Sequence, residues 1–287
     1  MKGKSLDNGY AEDIFERFHY TDIHGLLGIL ESSTLRMCSY RTMNDSMELK
    51  WSIQKKLNAI QKKVSEPLQY EFLTEIENSL KSVPLHAYLI CFSSEKDLLS
   101  QWRAYGDDGK GVAIGFDLEA THFDHRPPRV EPYEADMLAG YFDVLYDRES
   151  LQVGINNYIE LFNKYIDILK QKPSEKKRFA DQIAVFLLQD SVAHKNPAFK
   201  EENECRIINL TYQNYNGNFI GTTSGIEFKA SGKKLTSYFE YKFPKNIVTE
   251  IVLGPKSEID EKELYLFLDK NGYGDHVIIT HSSASYR

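Results

Sequence analysis

The chain has 287 residues, 41% of them hydrophobic, and a net charge of -7 from 35 basic and 42 acidic side chains. This length and apolar content suffice for a substantial core and exclude a largely disordered polypeptide. The acidic balance argues against a protein that coats nucleic acid through bulk electrostatics, and no apolar run approaches the length of a membrane span.

Three cysteines, Cys38, Cys91 and Cys205, are odd in number and far apart. They read as buried free thiols of a reducing compartment, not as a disulfide or zinc set. The N-terminal stretch lacks a signal-like apolar core, so a cytoplasmic location is expected. The 18 Tyr and 16 Phe predict a core or cleft rich in rings.

In chain order, residues 17–21 read as a short strand. Asp22 or Thr21 then caps a helix carrying Ile23, Leu26, Leu27 and Leu30 at helical spacing. Residues 34–40 form a second strand, followed by a turn at Asn44-Asp45 in which Asp45 and Glu48 make a capping box. Helices are expected over 48–63 and 67–82, and a buried strand over 85–93. Asp97 opens a short helix bearing Gln101, Trp102, Arg103 and Tyr105, and a strand follows at 111–116. Two long helical stretches, 149–170 and 174–194, are divided by Pro173. Strands are then expected from Glu204 and at 218–229, 235–243 and 247–253. A helix over 258–271 ends at Gly272, and a strand at 276–280 closes the series. The irregular alternation predicts an α+β fold in one domain, 1–287, with a helical insertion at about 145–195.

Four clusters carry possible chemistry. His19 and Thr21, two apart on a strand, share a face and offer polar groups to a sugar or amide; on the tripeptide alone, a strand-end histidine with Thr21 as helix cap is the favoured reading. Asn44, Asp45 and Glu48 are fully explained by the turn and cap. Around Trp102, Arg103 and Tyr105, the guanidinium suits a phosphate, and Trp102 and Tyr105 are placed on one helix side. The glycines that follow match neither a P-loop nor a dinucleotide fingerprint. Finally, Glu202, Glu204 and Arg206 alternate with Cys205 and Ile207. There a glutamate either stabilises a cationic sugar or is paired with arginine in a purely structural role. His194, before the break at Pro197, is read as structural or supporting. No zinc-hydrolase or serine-hydrolase motif occurs.

In this order the motifs HYT at 19–21, NDSME at 44–48, QWRAYGDDGKGVAIGF at 101–116, EENECR at 201–206 and IVLGPKSE at 251–258, with the closing Tyr286-Arg287, resemble a large bacterial family of domains of unknown function. That family looks like a distant relative of the ADP-ribosyltransferase superfamily, through His-x-Thr on the first strand and a glutamate on a later one. The resemblance implies an ADP-ribosyltransferase-like core of two small, mostly antiparallel sheets flanking an NAD cleft. It implies that NAD is a substrate, that a nucleic acid or protein is the acceptor, and that no metal is needed. A toxin or anti-phage setting is implied by the same analogy. His19 and Thr21 would bind ribose and amide; Tyr20, Tyr40 or Trp102 would stack on the nicotinamide. Arg103 would hold the pyrophosphate, with Tyr105 and Arg206 nearby, and Glu204, with Glu202 competing for the role, would stabilise an oxocarbenium-like transition state. Two alternatives stand beside this one: a non-catalytic nucleotide or nucleic-acid binding module, and a metal-dependent nuclease using Asp45, Glu48, Glu202 and Glu204.

Overall fold

The computed structural model describes residues 15–42, 47–126, 139–214 and 216–286. The expected Asn44-Asp45 turn and Arg287 lie outside them, as does the side chain of Glu48. The chain runs β1 (Glu16–Thr21), α1 (Ile23–Ser32), β2 (Thr34–Ser39), α2 (Met47–Gln61), α3 (Pro67–Ser82), β3 (Leu85–Ser93), α4 (Leu99–Ala104), β4 (Val112–Asp117), β5 (Asp124–His125) and β6 (Ala139–Asp143). It continues with α5 (Arg148–Leu169), α6 (Lys176–Ser191), β7 (Glu204–Gln213), β8 (Phe219–Ile220), β9 (Glu227–Ser231), β10 (Lys234–Lys242), β11 (Val248–Leu253), α7 (Glu261–Lys270) and β12 (Ile278–His281).

Local chemistry sets several of these limits. The Asp22 carboxylate accepts the Gly25 N–H at 2.6 Å and so caps α1. Asp147 does the same for α5 and Asp260 for α7. Gly272, at φ +74°, supplies the left-handed turn that releases the chain from α7. Asp97 behaves otherwise than expected. It makes no cap to α4, and its carboxylate instead accepts from Trp102 Nε1 at 2.8 Å and from Ser283 N at 2.7 Å.

The strands form one curled, mixed sheet. The order is β12-β11-β4-β1-β3-β2-β10-β9, with β7 also on β3, β6 and β8 on β7, and β5 on β6. Pairings are antiparallel except β11 with β12 and β5 with β6. The chain is thus a mixed α/β protein whose hydrogen bonding is continuous through β3, where two separate small sheets were expected.

The continuity is incomplete in one place. β7 pairs with β3 over its whole length, Leu85↔Tyr212 to Ser93↔Glu204. On the other edge β1 touches β3 at Phe18↔Ser93, and β2 at Cys38↔Leu89 and Ser39↔Tyr88. Between these points β1 and β2 diverge, and the edge of β3 at residues 90–92 faces the gap. Helix α1 connects the two diverging strands.

The main core gathers Leu26 and Leu30 of α1, Ile90 and Phe92 of β3, Ile114 and Phe116 of β4, Cys205 and Ile207 of β7, and Leu264 and Leu268 of α7. A second core belongs to the helices. Phe72 and Ile76 of α3, Leu57 and Ile60 of α2, Phe162 and Ile166 of α5, and Ile183 and Leu187 of α6 pack together. The helical stretch after residue 145 therefore shares its core with α2 and α3, a partnership that sequence periodicity alone does not reveal. Of the three cysteines, all unpaired, only Cys205 is fully buried; Cys38 and Cys91 are half-buried.

Candidate functional site

The gap between β1 and β2 opens into a cavity of about 660 Å³. That is within the range of ordinary small-molecule sites, roughly 300–1,000 Å³. β1 and α1 form one wall, β2, β9 and β10 another, and β3, α4 and the turn into β7 the third.

His19 reaches it because alternation on β1 sends Arg17, His19 and Thr21 to one face, and Phe18 and Tyr20 to the other, against Trp102, Ala113 and Val252. His19 Nδ1 lies 2.9 Å from the Cys91 carbonyl, which belongs to the part of β3 that neither β1 nor β2 covers. A carbonyl only accepts, so Nδ1 carries the proton. Burial lowers the pKa of this ring below its ordinary 6.5, and the positive charge of Lys229 pushes the same way, against the bond to Cys91. The neutral ring then turns an accepting Nε2 to the cavity. Beside it, Thr21 packs so tightly on α1 that a Cβ on Gly25 would lie 1.9 Å from Thr21 Oγ1. Only glycine allows this approach.

Opposite stands a buried charge cluster. Glu204 Oε1 accepts from Arg206 Nε at 2.6 Å, and Oε2 from Arg206 Nη2 at 2.8 Å and Lys195 Nζ at 3.1 Å. The bidentate pair follows from two-residue spacing on a single strand. Arg206 Nη1 donates to Val192 O at 3.0 Å, tying the strand to the end of α6. Lys195 Nζ also donates to Glu202 Oε2 at 2.5 Å. Burial opposes charge on Glu204, but Arg206 and Lys195 override it and hold the carboxyl at about 2. Burial and the Glu204 charge push the Cys91 thiol well above its usual range, so it stays protonated.

Of the residues singled out from sequence, the cavity thus collects His19, Thr21, Tyr40, Tyr105, Glu202, Glu204 and Arg206. Tyr20 borders it, yet its ring packs edge-on to Trp102 and its hydroxyl donates to Glu95 O at 2.7 Å. Trp102 is fully buried and lies outside the cavity lining, as does Arg103, whose guanidinium sits 4.7 Å from the Tyr286 ring centroid. Trp102 and Tyr105 do not share a helix side. Tyr105 has left the helix as its C-cap, at φ -130°, and is 45% exposed, with Glu202 close enough to help burial push its phenol up to about 12. From α4 itself, Gln101 reaches the cavity.

Sequence reasoning missed Lys195, Arg36, Lys229 and Thr236. Arg36 shares the cavity side of β2 with Cys38, a period-two signal that was available. Thr236 is buried, and its hydroxyl has no partner among the described residues. Lys195 and Lys229 left no local signature. His194 is buried and bonded to Asp190 O at 3.0 Å, as a supporting residue would be. No group of three or more His, Cys, Asp or Glu suited to a metal ion occurs among the described residues. No described helix is long and apolar enough to cross a membrane.

The site is thus a cavity of mixed polar and apolar lining in a mixed α/β chain, with an acceptor imidazole on one wall and a carboxylate–cation cluster on another. Residues 101–207 match the model of a family described as a protein of unknown function (DUF2971). The matched stretch runs from within α4 to Ile207 on β7 and so contains Tyr105, Lys195, Glu202, Glu204 and Arg206, but not β1. No curated protein and no solved structure matches the chain.

Proposed function

We propose that the protein is an ADP-ribosyltransferase-like enzyme that takes NAD into the cavity between β1, β2 and β3. The observation that carries this reading is the convergence of His19, Thr21, Tyr105 and the Glu202–Glu204–Arg206 cluster on one cavity, from elements far apart in the chain. The ring acceptor of His19 and the Thr21 hydroxyl suit ribose hydroxyls and a carboxamide. Tyr40 and Tyr105 are the accessible rings for stacking on nicotinamide. With Arg103 facing away, Arg36 and Lys229 are the cations for the diphosphate.

In the reaction the bond from ribose C1′ to the pyridinium nitrogen breaks, and both electrons go to nitrogen, so nicotinamide leaves neutral. The oxocarbenium-like ribose is taken by a hydroxyl, amide or carboxylate of a nucleic acid or protein acceptor, or by water. An acceptor N–H or O–H gives its proton to solvent. A carboxylate of the glutamate pair stabilises the cationic ribose electrostatically, which is where such sites gain most.

A second reading is a non-catalytic nucleotide-binding module. It is favoured by the pinning of Glu204 between Arg206 and Lys195, which neutralises a carboxylate that catalysis would use. Incubation with NAD labelled in its adenylate part, with and without cell extract, separates the two. Release of nicotinamide, abolished by His19→Ala, is expected for the enzyme. Calorimetric binding of NAD without any release supports the module, and absence of binding rejects both.

A further inference from the structure

We propose that Glu202 presents the ligand-facing carboxylate, and that Glu204 is a positioning residue that holds Lys195 and Arg206. The inference rests on the NAD reading for the identity of the ligand, but the division of roles between the carboxylates stands on geometry alone.

An ionised carboxylate has about four acceptor sites. Both oxygens of Glu204 are engaged, by Arg206 Nε, Arg206 Nη2 and Lys195 Nζ. Its side chain is 6% exposed, so a ribose hydroxyl would have to displace a buried cation to reach it. Glu202 differs on each count. Only Oε2 is engaged, by Lys195 at 2.5 Å, and the side chain is 19% exposed. Oε1 has no partner among the described residues. Tyr105, 45% exposed, shares the cavity lining with Glu202.

The backbone explains how neighbours two apart come to differ so much. Glu202 ends a short 3-10 turn, Asn203 is left-handed at φ 42°, and Glu204 starts β7. The reversal at Asn203 breaks the strand alternation expected for Glu202 and Glu204. Lys195 Nζ then bridges the two, and its contact with Glu202 is what fixes that carboxylate in direction. Glu204 acts on the ligand only through Lys195 and Arg206.

Two measurements test the division. In the first, the native protein is treated with a water-soluble carbodiimide and a small amine, then mapped by peptide mass spectrometry. Glu202 is expected to be amidated and Glu204 spared; amidation of Glu204 with Glu202 spared overturns the proposal. In the second, nicotinamide release is followed in Glu202→Gln and Glu204→Gln. Glu202→Gln is expected to lower kcat by about 100-fold, with the melting temperature and NAD affinity little changed. Glu204→Gln is expected to lower the melting temperature and act mainly through KM. The converse, a kcat collapse in a stably folded Glu204→Gln with Glu202→Gln active, sinks the assignment and leaves the NAD reading intact. If the unaltered protein neither binds nor consumes NAD, the NAD reading fails, and the amidation pattern still decides which carboxylate faces the cavity.

Discussion

Both carboxylate oxygens of Glu204 are held by the guanidinium of Arg206, at 2.6 and 2.8 Å, two residues along the same strand, and both side chains are buried. A buried pair of this kind is costly to break from one side, because the remaining charge is left without compensation. Arg206→Ala should therefore destabilise the fold by roughly 3–5 kcal/mol, whereas the joint change Glu204→Leu with Arg206→Met should cost much less. Urea unfolding of the single and double variants gives the coupling directly, and additive losses would contradict it.

The same pair sets an acid limit on stability. The Glu204 carboxyl titrates at about 2 in the fold against an ordinary 4.5, so the unfolded chain binds the proton more readily. The resulting stability is complete above about pH 4.5 and is lost as pH falls toward 2. Its size is on the order of 3 kcal/mol. Denaturation midpoints between pH 6 and 2.5 should fall through this window, and the fall should be shallower in the Glu204→Leu, Arg206→Met chain.

His19 titrates in a different range. Burial and the charge of Lys229 keep its pKa below 6.5, and the neutral ring is the form that accepts from the ligand. NAD binding or turnover should hold constant from pH 8 down to about 6.5 and decline only below it. A titration of affinity against pH checks this, and a decline already complete at pH 7 would contradict it.

Lys229 and Arg103 make opposite predictions. Lys229 lines the cavity and Arg103 stacks on Tyr286 outside its lining. Lys229→Ala should weaken NAD binding about tenfold and flatten its dependence on salt, as expected for a lost charge-assisted bond to phosphate. Arg103→Ala should leave the Kd unchanged. Calorimetry at two ionic strengths distinguishes them.

The contact between Thr21 and Gly25 is sensitive to a single methyl group. In Gly25→Ala the new Cβ would meet Thr21 Oγ1 at 1.9 Å, so Thr21 must turn to another rotamer. The stability loss should be about 1 kcal/mol, while the hydroxyl swings out of its cavity position and NAD affinity falls more steeply. Melting curves and binding isotherms on one preparation test whether the two losses separate.

Much of this architecture is legible locally. The apolar spacing that makes α1, α5 and α6 amphipathic, the alternation along β1 and β7, the cap at Asp22 and the stop at Gly272 all depend on residues within a turn or two. The pairing of Glu204 with Arg206 is similarly local, since period two puts them on one side of a strand. What no local pattern contains is the parting of β1 and β2 along the edge of β3, because it depends on partners about 50 to 75 residues apart. That parting makes the cavity and exposes the Cys91 carbonyl to His19. It also lets the long side chains of Lys195 and Lys229 reach a common space from beyond α6 and from β9, while Trp102 is core through its packing on Phe18, Tyr20, Ala113 and Val252. Residue type and spacing settle which side chains can share a face; only packing between distant segments settles whether that face meets solvent, core or a cavity.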